Sequence, residues 1–237
     1  MPQAIFFDLD ETLIRHSASI MDQLQTICKQ HLGELSDARW DTFNKHLMAN
    51  VGQLWNNVAD HQGRCQAEFT NIFRSGLVDA GGDGALAEPI VEAFLDAVVE
   101  TTGPTDGAHE LLDQLADIGI PTGIITNGFS FLQKRKVLAH GFADRVRAVV
   151  TSEDAGAHKP DARIFRLAME RVGITSTDCW HVGDNRDADI AGAIGAGFSA
   201  LWYVPEPKPS DEVPSPTTSF RVIRRLAEIS ELIGKSA

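Results

Sequence analysis

Asp8, Asp10 and Thr12, then Thr126 and Asn127, then Lys159, then Asp184 and Asp189 stand at the ends of short apolar runs or in the loops that follow them. Aspartates gathered at one place repel each other unless a cation joins them. Their hard oxygens suit Mg²⁺, which keeps several waters and takes a phosphate as partner. A lysine among them could neutralise an anionic group and hold a nucleophile in place. Thr126, at the mouth of a helix expected to begin near Phe129, offers a hydroxyl and unpaired backbone N–H groups to a phosphate. Cation, lysine, phosphate nest and surplus carboxylate together specify phosphoryl chemistry.

Residues so distant in sequence meet only if the fold brings them to one edge. Apolar runs at Ala4–Phe7, Thr122–Thr126, 146–150, 179–182 and 198–204 have the length and composition of buried strands. Between them the period becomes helical. Ala108, Leu111, Leu112 and Leu115 stop before Gly119, and Asp161 can cap a helix carrying Ile164, Leu167 and Ala168 that Gly173 closes. Val222, Leu226, Ile229 and Ile233 predict a last amphipathic helix. Strands alternating with helices give an α/β fold with a doubly wound, mostly parallel sheet, whose strand ends meet at one rim.

Residues 15–103 break the alternation. The helical spacing of Ile20, Leu24 and Ile27, of Trp40, Phe43 and Leu47, of Phe69, Ile72 and Phe73, and of Ile90, Phe94 and Val98 contains no strand pattern. This stretch reads as a helical domain inserted into a core made of residues 1–14 and 104–237. The five prolines of 205–216 mark a loop.

Composition narrows the function. The 237 residues hold 33 Asp and Glu against 21 Lys and Arg, a net charge of -12, which disfavours nucleic-acid polymers and anionic membranes as partners. It leaves a small anionic substrate open, because a site can be locally positive. Cys28, Cys65 and Cys179 are odd in number and far apart, as expected of reduced thiols in a cytoplasmic protein. No apolar run approaches the roughly 18 residues of a membrane span. Oligomeric state leaves no mark in the sequence.

The runs Phe7-Asp8-Leu9-Asp10-Glu11-Thr12-Leu13, Ile124-Ile125-Thr126-Asn127-Gly128, His158-Lys159-Pro160 and His181-Val182-Gly183-Asp184-Asn185-Arg186-Asp187-Ala188-Asp189-Ile190 resemble, in order, the four motifs of the haloacid dehalogenase superfamily. The likeness covers nearly the whole chain, and the helical insertion sits where that family carries its cap. Asn185 stands where relatives often have Ser. The resemblance implies a Mg²⁺-dependent phosphatase acting on a small phosphorylated metabolite. In it Asp8 attacks phosphorus and binds the metal, and Asp10 serves as general acid and base while its carbonyl binds the metal. Thr126 and Asn127 hold phosphoryl oxygens, Lys159 stabilises charge, Asp184 ligates Mg²⁺, and Asp189 is a neighbouring ligand or an orienting group. A dehalogenase of the same superfamily has no use for an acid at Asp10; a phosphosugar mutase keeps both aspartates. A phospho-accepting signalling domain groups similar residues without the cap.

Each motif alone also has a plainer reading. Asp8 and Asp10 could end a strand in solvent or cap a helix, Thr126-Asn127-Gly128 could be a turn, and Lys159 could lie on the surface. Asp184 ranks ahead of Asp189 as a ligand, and Asp187 is expected in solvent or at a cap. Arg15 and His16 either meet substrate or form a surface hinge, and His158 is expected in solvent. Trp40, Phe43 and Trp55 are expected between cap helices. Arg64 either meets a substrate anion or, the commoner case, lies on the surface.

Overall fold

The computed structural model describes residues 1–32, 36–206 and 220–234. Six parallel strands form the sheet, in the order β5-β4-β1-β6-β7-β8. They are β1 (Ala4–Phe7), β4 (Thr122–Thr126), β5 (Ala148–Thr151), β6 (Cys179–Gly183), β7 (Ser199–Tyr203) and β8 (Phe220–Ile223). Alternation along β1 shows how the two faces are filled. Ile5 and Phe7 join a core with α5 (Ala108–Asp117) and α10 (Glu228–Gly234), whereas Ala4 and Phe6 join another with α8 (Ala162–Val172) and α9 (Gly192–Gly195).

Helix ends follow the sequence signals. Asp161 accepts a hydrogen bond from Arg163 N at 2.8 Å, and Gly173 adopts the left-handed conformation that closes α8. Helix α6 (Ser130–Ala139) begins one residue after Phe129, and α7 (Ser152–Ala155) is a single turn capped by Thr151.

The insertion holds α1 (Ile20–Leu32), α2 (Asp37–Asn56), α3 (Cys65–Asp79) and α4 (Ala87–Glu100). Their buried residues, among them Leu24, Phe43, Leu47, Phe73 and Ile90, form a core separate from those of the sheet; Phe129 of the sheet domain also packs there.

Two expectations are corrected. The insertion is not purely helical at its boundary: β2 (Ile14–His16) and β3 (Thr102–Pro104) form an antiparallel ribbon where the chain leaves the sheet and returns. Each is only three residues long, too short to show an alternating pattern. Val222 belongs to β8 and Leu226 to the turn after it rather than to the last helix, which begins at Glu228 and holds only Ile229 and Ile233 of the four. The spacing of four between Val222 and Leu226 matches a helical turn by coincidence. Most of the proline-rich loop, including Pro207, Pro209, Pro214 and Pro216, lies outside the described residues.

Candidate active site

The C-terminal ends of the strands bring the separated polar residues together. Asp8 follows β1, Asp184 follows β6, and Lys159 comes from the loop between α7 and α8. Lys159 Nζ donates to Asp8 Oδ1 and to Asp189 Oδ1, both at 2.6 Å, and to the Ile125 carbonyl at 2.8 Å. Asp189 lies on the irregular turn Arg186–Ala191 after β6, and its carboxylate also accepts from His181 Nε2 and from Asn185 N. Gly183 is required beside it, because a Cβ there would overlap the Asp189 carboxyl.

Asp8, Asp184 and Asp189 each offer an oxygen within 4.8 Å of the others. Three carboxylates against one ammonium leave two negative charges in this group. Burial works to raise Asp189, but Lys159 and His181 outweigh it and hold this carboxyl well below the usual range. Asp8 takes the excess: burial, then repulsion from Asp189, push it up to about 8 despite Lys159. Burial and Asp189 likewise raise Asp184 to about 6. Burial would lower Lys159, yet Asp189 and Asp8 hold it above its ordinary value. Two surplus charges on hard oxygens fit one divalent cation of the Mg²⁺ type. Asp8 and half-exposed Asp184 are best placed to hold it, since both oxygens of Asp189 already accept protein hydrogen bonds.

The Asp10 carboxylate belongs to a different set. Its Oδ1 accepts from His16 Nε2 at 2.7 Å and from Lys136 Nζ at 2.5 Å, and its Oδ2 from Gln133 Nε2 at 2.7 Å. Burial opposes them, but these three partners hold Asp10 well below the usual carboxylate range. Gln133 also donates to Thr126 Oγ1 at 2.6 Å, joining Asp10 to the end of β4. Lys136 and Gln133 are functional candidates that the motifs do not contain. Their signal in the sequence is a face: Phe129, Gln133, Lys136 and Val137 follow helical spacing, and two polar residues occupy the buried side of α6.

Asn127 uses its side chain on the lysine loop. Its Oδ1 accepts from Lys159 N at 2.7 Å and its Nδ2 donates to the Lys159 carbonyl at 3.1 Å. Thr12 is fully buried, and its hydroxyl has no hydrogen-bond partner among the described residues. Asn185, rather than an aspartate, caps the turn after β6 by accepting from Asp187 N and Ala188 N, while Asp187 itself is exposed. His16 lies on Asp10, whereas Arg15 donates to Tyr203 Oη at 3.3 Å.

Phe43 is buried and packs near Trp40, as expected. Trp55 is not between cap helices: it stands edge-on to Phe129 and stacks at 4.5 Å on His158. His158 is correspondingly not a solvated histidine, since its Nε2 donates to the Trp55 carbonyl at 2.8 Å. Arg64 is exposed and donates to the Asp60 carbonyl. The three cysteines are buried and unpaired. No described helix is long and apolar enough to cross a membrane.

A parallel sheet with a lysine–carboxylate cluster at its C-terminal rim and a helical insertion beside it defines an α/β enzyme of the hydrolase type. The chain belongs to the haloacid dehalogenase-like hydrolases, whose family model matches residues 2–197. It is 30% identical over 229 residues to pyrimidine 5'-nucleotidase YjjG of Escherichia coli (strain K12), covering 95% of this chain and 96% of that one. It is 27% identical over 241 residues to the glyceraldehyde 3-phosphate phosphatase of Methanopyrus kandleri, covering 96% and 100%. The structure is similar to that of a 2-haloacid dehalogenase from Pseudomonas syringae pv. Tomato DC3000, with a TM-score of 0.77, 26% identity and full coverage of both chains.

Proposed function

We propose that the protein is a Mg²⁺-dependent phosphomonoesterase that works through an aspartyl-phosphate. The observation that carries this reading is the separation of two aspartates only two residues apart. Asp8 sits in the charge-surplus cluster, while Asp10 is held outside it by His16, Lys136 and Gln133. Displacement of halide from carbon leaves no alkoxide to protonate, so it gives the second carboxylate nothing to do.

Bound at Asp8 and Asp184, with the Asp10 carbonyl as a further oxygen donor, Mg²⁺ would supply charge neutralisation at the phosphoryl group. The remaining work belongs to the chain. An Asp8 oxygen bonds to phosphorus as the bond to the leaving oxygen breaks, and Asp10 delivers a proton to that oxygen. Water then bonds to phosphorus, the Asp8–phosphorus bond breaks, and Asp10 takes the water's proton. The resting contacts of Asp10 favour its anion, which suits the second step. The proton that Asp10 takes from water in the second step is the one it delivers to the next leaving oxygen, and His16, hydrogen-bonded to it at 2.7 Å, orients the carboxyl. Thr126 and the backbone at Asn127 receive phosphoryl oxygens, and Lys159 balances charge on Asp8 and Asp189. Residues 15–103 act as a cap on a core of 1–14 and 104–237, with the β2–β3 ribbon as hinge.

Phosphate release from p-nitrophenyl phosphate tests the reading. Asp8→Asn should abolish it, and EDTA should do so reversibly on adding Mg²⁺. Wild-type rates after either treatment would overturn the mechanism.

A further inference from the structure

A cavity of about 350 Å³ opens between the insertion and the sheet, and Asp10, Gln133 and Lys136 form part of its wall. Resting on the phosphomonoesterase reading, this placement has a direction. The group that protonates the leaving oxygen lines the cavity, so whatever that oxygen carries extends into it. We propose that the substrate is the phosphomonoester of an apolar, ring-bearing alcohol rather than of a sugar, polyol, amino acid or nucleoside.

The walls are the first argument. Beyond its polar floor the cavity is lined by Leu24, Leu47 and Val51 of the insertion and by aromatic rings from both sides. Phe129 and Phe131 stack at 5.6 Å with 6° between their planes, Trp55 meets Phe129 edge-on at 5.7 Å, and Phe69 lies 5.4 Å from Phe131. Ring faces and edges offered together accept another ring in stacked or edge-on contact.

The floor is the second argument. Its polar side chains are Asp10, His16, Asn127, Gln133 and Lys136. They already bond to each other or to the chain: Asp10 to three of the others, and Asn127 to Lys159. A sugar or nucleoside would place hydroxyls or a base edge against apolar walls, and each polar group buried without a partner lowers affinity roughly tenfold or more. Charged residues instead line a second opening, of about 390 Å³, beside Asp184, where Glu11, Arg15 and Glu206 stand. A polar leaving group would have to point there, away from the Asp10 wall.

The test compares kcat/KM with Mg²⁺ for 2-phenylethyl phosphate, ethyl phosphate, glycerol 3-phosphate, ribose 5-phosphate and uridine 5'-monophosphate, with acetyl phosphate as a generic phosphoryl donor. The phenylethyl ester should exceed each of the other four esters by at least tenfold. Val51→Asp and Met48→Asp, both on the cavity wall, should bring the phenylethyl-to-ethyl ratio close to one, with thermal unfolding confirming that each variant is folded. If acetyl phosphate is hydrolysed but a sugar, polyol or nucleoside ester ranks first, the apolar assignment fails while the phosphatase reading stands. If nothing is hydrolysed, the phosphatase reading fails, and binding decides the cavity. Calorimetric titration should then show 2-phenylethylphosphonate bound at least tenfold more tightly than ethylphosphonate, and equal or absent binding refutes the assignment.

Discussion

Lys159 is the residue on which the cluster balances. Its ammonium is buried between Asp8 and Asp189 and faces the Ile125 carbonyl. Removing one member of a buried charge set leaves the others uncompensated, which typically costs about 3–5 kcal/mol. Lys159→Met should therefore lower unfolding free energy in urea by that order, in addition to stopping turnover. A change within 1 kcal/mol would mean that the two carboxylates find protons or solvent on their own. Asp8 and Asp184 are legible as candidate site residues because each follows an apolar run, and Lys159 because it stands just before Pro160 and Asp161 ahead of a predicted helix. Lys136 and Gln133 are not, since a lysine and a glutamine inside a helix look like an exposed face until the neighbouring element shows which side is buried. His16 is ambiguous for the same reason, being defined by a partner six residues away across a turn.

At the scale of elements, the geometry of the cluster depends on how closely β6 and the turn after it approach. Gly183 ends β6, and the Asp189 carboxyl occupies the space that a side chain would take. Gly183→Ala should destabilise the fold by roughly 1–3 kcal/mol through overpacking. It should also displace Asp189 from Lys159, so that the lost activity is larger than any change at a similarly buried site away from the rim. Retention of wild-type stability would show that the turn can shift freely. The central strands and these helices are readable from the sequence, because β1, β4 and β6 lie in apolar runs and α5 and α8 repeat at helical spacing. The ribbon β2–β3 and the edge strand β8 are not. Arg15, Gly103, Pro104 and Arg221 interrupt them so that none is a continuous apolar run, and they are strands because a neighbour pairs with them.

At the scale of the whole molecule, the acidity read from composition has a local part with a measurable consequence. Asp8 and Asp184 have folded values of about 8 and about 6, above the ordinary 3.8. The folded chain thus binds more protons than the unfolded chain across that interval. Their contribution to stability is full below about pH 4 and is lost as pH rises through about 6 and then about 8. A cation that binds the ionised pair should offset this loss. The rise in Tm on adding Mg²⁺ should be larger at pH 8 than at pH 5, as read by circular dichroism melting, and Asp184→Asn should flatten the difference. An equal rise at both pH values would separate Mg²⁺ from these carboxylates. The same view of the whole chain shows how the insertion is fastened to the sheet. The buried carboxylate of Glu153 accepts from Gly63 N of the insertion and from Ser130 N at the start of α6.

The stack of Trp55 on His158 lies across that same boundary, with His158 next in sequence to Lys159. An indole in contact with an imidazole has its emission altered by the neighbour, and separation of the two rings restores it. Any movement of the insertion relative to the loop that bears Lys159 would separate these rings, so Trp55 emission would report it.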